Sequence, residues 1–370
     1  MINKQSIYYW FFFPLLALLS AGSLTSCIYD SVLEETDMSG KSTLSITMRG
    51  ITTTDPSTSG GSYDDYVKTL RIIGFDANGS VVCNQLFDYD ESTTEIPDFI
   101  VQGIGEDAQI NITQALEDAF QGGVCDFYFI ANEYWYSVYT NGQVGENLSS
   151  FLGTIGNLEQ EPKKDVLDKC VIATPTQTQI ATLGSSPILM TTSVRSTLKP
   201  GDNTINNIEL VRCFAKVQLK IVNKSGGKVS VGDPKLVGTY PDSYSLWDGS
   251  SSENWKKNDT PYKISLSLSE STITEEMQTY PLYTSQEIYF PERLLGEGNN
   301  EESNAMKFSF RLNNTPYEVE IADATGHDFN IRRNTHYTVT ATLNSAPVDV
   351  TFNIEVIPWT EVEVDVPPFN

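Results

Sequence analysis

Residues 66–87 read YVKTLRIIGFDANGSVVCNQLF. Two apolar runs rich in β-branched residues, Tyr66 to Phe75 and Val81 to Phe87, flank Asn78-Gly79. Both turn residues tolerate positive φ, so the stretch predicts a β-hairpin. The same signature recurs along the chain. Asp126 to Asn132 (DFYFIAN) is a short aromatic strand, and Glu209 to Val222 (ELVRCFAKVQLKIV) alternates through Val217, Leu219 and Ile221. Tyr262 to Leu268, Gln286 to Phe290, Met306 to Leu312, Tyr317 to Ile321 and His336 to Leu343 continue the series. Many short strands punctuated by Gly, Asn and Ser indicate an all-β fold of sandwiches rather than βαβ units. A few short helices are expected. Ile112, Ala115 or Leu116, and Ala119 or Phe120 recur at helical spacing before Gly122-Gly123, and Leu148, Phe151, Leu152, Ile155 and Leu158 do so after Asn147, a suitable N-cap.

At about 100–200 residues per domain, 370 residues suffice for two. The polar stretch Ser193 to Asn207, with Pro-Gly-Asp-Asn at 200–203, is the best internal boundary. It divides the chain into a sandwich over 50–200 and a second over 201–370. Thr52 to Ser62 (TTTDPSTSGGS) reads as a flexible loop. Acidic residues outnumber basic ones 48 to 24, a formal net charge of −24. Nucleic acid is therefore not an expected partner, because a phosphate backbone calls for clustered Lys and Arg. Adsorption on an anionic membrane face is equally disfavoured unless something covalent holds the protein there.

The N-terminus supplies such an anchor. Lys4 precedes an apolar run from Ile7 to Leu19, too short to span a bilayer and of signal-peptide length. Leu24-Thr25-Ser26-Cys27 follows and resembles a bacterial lipoprotein box, which implies a signal over 1–26, cleavage before Cys27 and diacylglycerol on its thiol. The plainer reading is an ordinary signal peptide with an incidental cysteine. Residues 28–42 are polar and acidic, as a tether would be. Cys83, Cys125, Cys170 and Cys213 remain; none stands in a C-x-x-C pair, and sequence does not choose between disulfides and buried free thiols.

Parts for catalysis are scarce. His327 and His336 are the only histidines, and no G-x-S-x-G elbow accompanies them. Gly103-Ile104-Gly105 lacks a βαβ setting, and the neighbouring Glu106 and Asp107 would repel a pyrophosphate. Asp88-Tyr89-Asp90-Glu91 lacks the spacing of an EF-hand loop. Paired carboxylates of glycosidase type are not excluded by count, but the acidic residues are scattered as on a solvated surface. No enzyme activity, cofactor or metal is expected.

The two ends of the mature chain carry more. From Val348 it runs VDVTFNIEVIPWTEVEVDVPPFN. Val350, Phe352, Ile354 and Val356 share one face of a strand, and after Pro358-Trp359 the alternation resumes with Val362, Val364 and Val366. These strands either complete their own sandwich or leave it to pair with an exposed edge on another molecule. Thr43 to Met48 (TLSITM) mirrors them through Leu44, Ile46 and Met48, and ends at Arg49 before the loop that begins Gly50-Ile51. A lone basic residue beside a flexible loop suits a trypsin-like protease. It is otherwise a solvated strand end.

Taken together, these segments resemble the FimA/Mfa-type fimbrillins, lipoprotein precursors of type V pili. The resemblance is carried by Cys27, the strand ending at Arg49, YVKTLRIIGFDANGSVV at 66–82, FYFIANE at 127–133 and ELVRCFAKVQLKI at 209–221. EIYFPE at 287–292, IRRNTHYTV at 331–339 and VIPWT at 356–360 complete it. It implies two tandem β-sandwich domains of transthyretin-like or Greek-key type, delivered to the outer membrane on the Cys27 lipid. A trypsin-like protease then cuts between Arg49 and Gly50, releasing the lipid tether and first strand (27–49) with Leu44, Ile46 and Met48. The C-terminal strands of a neighbouring subunit, about 348–366, fill the groove so opened in an extracellular fimbrium. Burying Val350, Phe352, Ile354, Val356, Val362, Val364 and Val366 at about 1.5–3 kcal/mol each gives on the order of 10–20 kcal/mol gross, much of it offset by ordering two strands.

The expected partners are thus other pilus subunits, the maturation protease, the outer membrane and, through adhesion, host or bacterial surface ligands. A basic site before a flexible loop, together with appended C-terminal strands, favours a stalk-type subunit. An anchor subunit would keep its lipid and first strand, and a tip subunit would have no use for a donor strand. Tyr134-Trp135-Tyr136, Trp247 and Trp255 motivate a different class, a surface glycan-binding lipoprotein.

Overall fold

β2 (Thr69–Asp76) and β3 (Val81–Asp88) pair antiparallel, as the opening stretch predicts. The turn between them differs in detail. Only Gly79 takes a left-handed backbone, at φ 82, while the Asp76 carboxylate accepts from the Asn78 and Ser80 amides at 2.9 and 2.8 Å. The aspartate side chain ties the loop, and the glycine supplies its one left-handed residue.

The structure is a computed structural model that describes residues 42–49, 63–64, 66–88, 100–102, 109–116, 120–153, 164–248, 262–273, 283–295, 300–323, 325–345 and 349–359. The signal peptide, Cys27 and most of the tether, Gly50 and the loop at 52–62, Gly103-Ile104-Gly105, Trp255, and Val362, Val364 and Val366 lie outside the described residues. Ser42–Asn370 forms one compact unit.

Two sheets enclose the first core. A four-stranded sheet runs β11 (Asp202–Glu209), β1 (Thr43–Arg49), β5 (Gln109–Ala115), β4 (Ile100–Gln102). A five-stranded sheet runs β12 (Val211–Arg212), β10 (Met190–Leu198), β6 (Gly123–Ala131), β2, β3. Leu44, Ile46 and Met48 of the first meet Leu70, Ile72, Phe127 and Phe129 of the second. The five-stranded sheet is covered on its other face too. Ile73, Phe75, Tyr128 and Ile130 join a larger core with Leu148 and Leu152 of the helix Leu148–Gly153. That double burial explains why LRIIGF reads as a continuous apolar run instead of alternating.

The larger core continues between two further sheets. One runs β18 (Tyr283–Thr284), β13 (Phe214–Asn223), β22 (Thr335–Ser345), β23 (Asp349–Pro358), with β19 (Ile288–Pro291) also on β13. The other runs β16 (Tyr262–Ser267), β14 (Val229–Tyr240), β20 (Lys307–Leu312), β21 (Thr315–Glu320), with β17 (Ser271–Ile273) on β14. A small sheet of β15 (Ser243–Ser245), β9 (Val171–Ala173), β7 (Ser137–Thr140) and β8 (Gln143–Asn147) bridges the halves of the chain.

Three sequence expectations change. The helix read from Ile112 to Phe120 is instead β5 over Gln109–Ala115, paired residue for residue with β1. Ile110, Ile112 and Thr113 are β-branched, and the second ladder of β1 outweighs a weak helical spacing. By contrast, the helix after Asn147 forms over Leu148–Gly153, with Asn147 Oδ1 accepting from the Ser149 amide at 2.9 Å, while Ile155 and Leu158 lie outside the described residues. The single strand expected over 209–222 breaks at Leu210 and Cys213 into the end of β11, β12 and β13, which belong to three different sheets. Both break residues are buried corner positions. Lastly, the expected boundary at 200/201 falls in the turn between β10 and β11, and β11 pairs back onto β1.

Cys83, Cys125, Cys170 and Cys213 are buried and form no disulfide with one another. Burial pushes the Cys170 thiol up to about 12 and, with Asp76 and Asp126 nearby, the Cys125 thiol up to about 11. Since only a thiolate attacks a disulfide, a Cys27→Ser chain should show no thiol reactive to Ellman's reagent when native and four after denaturation. Fewer than four under denaturing, non-reducing conditions would mean that a disulfide forms.

Candidate functional site

β1 is a central strand. Seven residues pair antiparallel with β5, from Thr43↔Ala115 to Arg49↔Gln109, and the other edge pairs parallel with β11. Leu44, Ile46 and Met48 are 0%, 1% and 0% exposed, while Ser45 points to solvent. The start of the strand is fixed from several sides. Thr43 Oγ1 donates to Asp202 at 2.7 Å, the Gly201 amide donates to Ser42 Oγ at 3.1 Å, and the Leu116 amide donates to the Ser42 carbonyl at 3.0 Å. Opposite Ile46 and Met48 the β11 register shifts at Asn207, held at φ 59. Arg49 closes β1 opposite Gln109 and Glu209. Take β1 away, and β5 and β11 face each other across an apolar slot with both ladders open.

The C-terminal strand is different in kind. β23 pairs with β22 alone among the described strands, in the register Val350↔Leu343, Phe352↔Ala341, Ile354↔Val339 and Val356↔Tyr337. It is therefore an edge strand. Val350, Ile354 and Val356 are half-buried against the larger core, whereas Phe352 is 40% exposed and meets Tyr317 edge-on at 6.4 Å. The even-numbered face thus points inward as the alternation predicts, but the strand is only half covered.

Immediately after β23 the chain is fastened. Trp359 is buried, and its indole Nε1 donates to Asp64 at 3.2 Å. The same carboxylate accepts from Lys216 Nζ and Tyr289 Oη, both at 2.6 Å. Arg212 and Lys216 lie 5.1 and 4.9 Å from the centre of the Trp359 ring, and Tyr289 packs against it at 5.5 Å. Arg212 Nε donates to the Asp64 carbonyl at 2.9 Å, and its Nη1 donates to Asn334 Oδ1 at 2.9 Å. Asn334, at φ 53, accepts the Trp359 amide at 2.9 Å. The Asp64 carboxylate and the Trp359 ring thus stand beside the two cations where water would otherwise be.

Other residues quoted from the recurring segments fall into two further buried networks. Arg71 of the first hairpin donates through Nε and Nη2 to Glu133, at 2.8 and 2.7 Å, and through Nη1 to Asn84 at 2.9 Å. Arg333 pairs with Glu292 at 2.8 Å, both buried, and also donates to the Ser245 carbonyl at 2.7 Å. Sequence reading picked out these segments but not their roles, because a charged residue inside a strand reads as surface unless its partner is known. Asp64 was missed entirely; it stands in a polar stretch with no strand signal of its own.

The remaining candidates are separate from this region. His327 is exposed on a turn and His336 is half-buried on β22. Among the described residues, no three of His, Cys, Asp and Glu gather to hold a metal. Trp247 belongs to the core, its Nε1 donating to the Leu167 carbonyl at 2.6 Å, whereas Tyr134 and Trp135 are exposed.

Residues 33–365 match the family of fimbrillin-A associated anchor proteins Mfa1 and Mfa2. No curated protein matches the chain significantly. Among solved structures, the chain resembles the C-terminally truncated tip fimbrial protein Mfa3 from Porphyromonas gingivalis, with TM-score 0.55, 16% identity, and coverage of 86% of this chain and 100% of that one. A fimbrial assembly protein from Parabacteroides distasonis aligns with TM-score 0.48, 12% identity, and coverage of 86% and 98%. At these identities the likeness to Mfa3 establishes the all-β fold.

Proposed function

The chain belongs to the family of fimbrillin-A associated anchor proteins Mfa1 and Mfa2, and we propose that it is a stalk-type pilus subunit in which β1 is the exchangeable strand. The observation that carries this reading is the contrast between β1 and β23. A strand whose loss opens a slot has to be central and dry, and β1 is both. At the other end β23 is a half-covered edge strand fastened at Trp359, a stem from which the residues after it can be lent to a neighbour.

In this reading the Cys27 lipid holds the precursor at the outer membrane, and a trypsin-like protease cuts between Arg49 and Gly50. A neighbour's C-terminal residues then enter beside β5 and β11. The residues after Trp359 suit the slot best, since Val362, Val364 and Val366 repeat the spacing of Leu44, Ile46 and Met48. β23, with Val350, Phe352, Ile354 and Val356, then acts as the stem that presents them. The assembled fibre would support adhesion at the cell surface.

A second reading is an anchor subunit that keeps β1, which the description of the matched family favours. Limited trypsin treatment of the full chain separates the two. The stalk reading expects one stable product beginning at Gly50 that forms multimers surviving mild detergent. An uncut Arg49–Gly50 bond, with cleavage only elsewhere, assigns the protein to the anchor class.

A further inference from the structure

Trp135 and Tyr134 are 43% and 42% exposed, with their rings nearly perpendicular and 6.3 Å apart. Neither belongs to the pairing surfaces of β1 or β23. The turn that carries them, Glu133–Trp135, is held unusually firmly from behind. Asn132 precedes it at φ 65. Its Nδ2 donates to the Tyr66 and Ile188 carbonyls, both at 2.8 Å, and its Oδ1 accepts from the Lys68 amide at 2.9 Å. Glu133 is buried on Arg71, also accepting from Ser149 Oγ at 2.7 Å, and Asn147 donates to the Tyr134 carbonyl at 2.8 Å. A left-handed asparagine and a buried ion pair thus fix a turn whose outer side presents two aromatic rings to water. Such preorganisation lowers the cost of stacking a ligand on the rings.

A cleft of about 240 Å³ opens beside Trp135. Trp135, Ser137, Val144, Thr174, Gln179 and Ser186 are among its walls. Among the described residues no Asp, Glu, Lys or Arg lines it, although the chain carries a formal net charge of −24. Thr174 also lines the cleft, but its Oγ1 is enclosed within the protein, away from the cleft, with no hydrogen-bond partner among the described residues. The Tyr136 hydroxyl is by contrast already engaged, accepting from the Leu189 amide at 3.1 Å and donating to the Pro187 carbonyl at 3.3 Å.

An aromatic wall with hydroxyl and amide groups and no charge complements a ligand that is itself uncharged, with an apolar face and a rim of hydroxyls. An anionic ligand would find no counter-charge and would enter against the field of an acidic protein. The volume lies below the roughly 300–1,000 Å³ of pockets for drug-sized ligands, so it suits a single ring. We propose that the cleft beside Trp135 binds a neutral sugar residue of a surface glycan, stacking it on the Trp135 ring. This site goes beyond the pilus reading and stands whether or not the chain polymerises.

The test is an array of neutral and of sialylated or sulfated glycans, of mammalian and bacterial types, probed with the full chain. Titrations with the methyl glycosides of glucose, galactose, mannose and N-acetylglucosamine, followed by saturation-transfer NMR, complement it. Neutral glycans should be retained over acidic ones, and the responding types tell host from bacterial sources. Trp135→Ala should weaken binding at least tenfold and Trp135→Phe less, with the melting transition of each unchanged. Retention of acidic glycans in preference, undiminished binding by Trp135→Ala, or no response to any neutral sugar in either assay would overturn the proposal.

Discussion

Replacing Asp64 with Ala is expected to destabilise the chain by about 3–5 kcal/mol, the usual cost of stranding one partner of a buried ion pair. The carboxylate accepts from Lys216, Tyr289 and the Trp359 indole, and all three residues are buried. Lys216 would retain Glu287 at 3.3 Å, but that carboxylate is about one-third exposed and a weaker substitute. The expected effect is therefore in the lower part of the range, a fall of roughly 4–6 °C in Tm for a unit of this size. Glu287→Gln is the matched control and should cost under about 1 kcal/mol, as a partly screened pair does. Denaturant or thermal melts of both variants decide the matter. A loss below 1 kcal/mol for Asp64→Ala would mean that Trp359 is held by packing alone.

A chain that starts at Gly50 is expected to lose most of the stabilisation that β1 supplies. The three buried side chains are worth about 1.5–3 kcal/mol each, and two backbone ladders go with them. Adding a peptide of residues 43–49 should restore the melting transition, and so should a peptide of residues 360–367 if the last residues are the natural replacement. The same peptides carrying Ile46→Asp or Val364→Asp should fail, since each would bring a charge into a dry slot at a cost of several kcal/mol. Rescue by 43–49 but not by 360–367 would remove the terminal valines from the exchange. Rescue by neither would mean that the slot closes once β1 leaves.

Strand existence was legible wherever a one-sided or continuous apolar pattern survived, as in TLSITM, LRIIGF and VTFNIEVI. The two terminal segments were also recognisable as a pair, because alternation and position in the chain are properties of sequence alone. What could not be read was which strand is central and which is an edge. β1 and β23 alternate alike, and only their neighbours distinguish them. β5 was mistaken for a helix for the same reason: its partner, β1, lies sixty or more residues away. The charged members of the family-like segments, Arg71, Glu133, Glu292 and Arg333, gave no sign that they face inward, since a buried charge becomes plausible only once its partner is in view.

A strip of tape comes away easily from its loose end, one small length at a time. Trp359 denies β23 such an end. Any tug arriving through the residues beyond it reaches the indole first, before a single β22–β23 hydrogen bond is loaded. While that rivet holds, tension passes into β13 and β19 through Lys216 and Tyr289 rather than starting a tear along the sheet margin. Rupture then becomes one large event instead of a sequence of small ones. On this basis, single-molecule pulling from the C-terminus should record a high, isolated force peak that Trp359→Ala replaces with a low, drawn-out plateau.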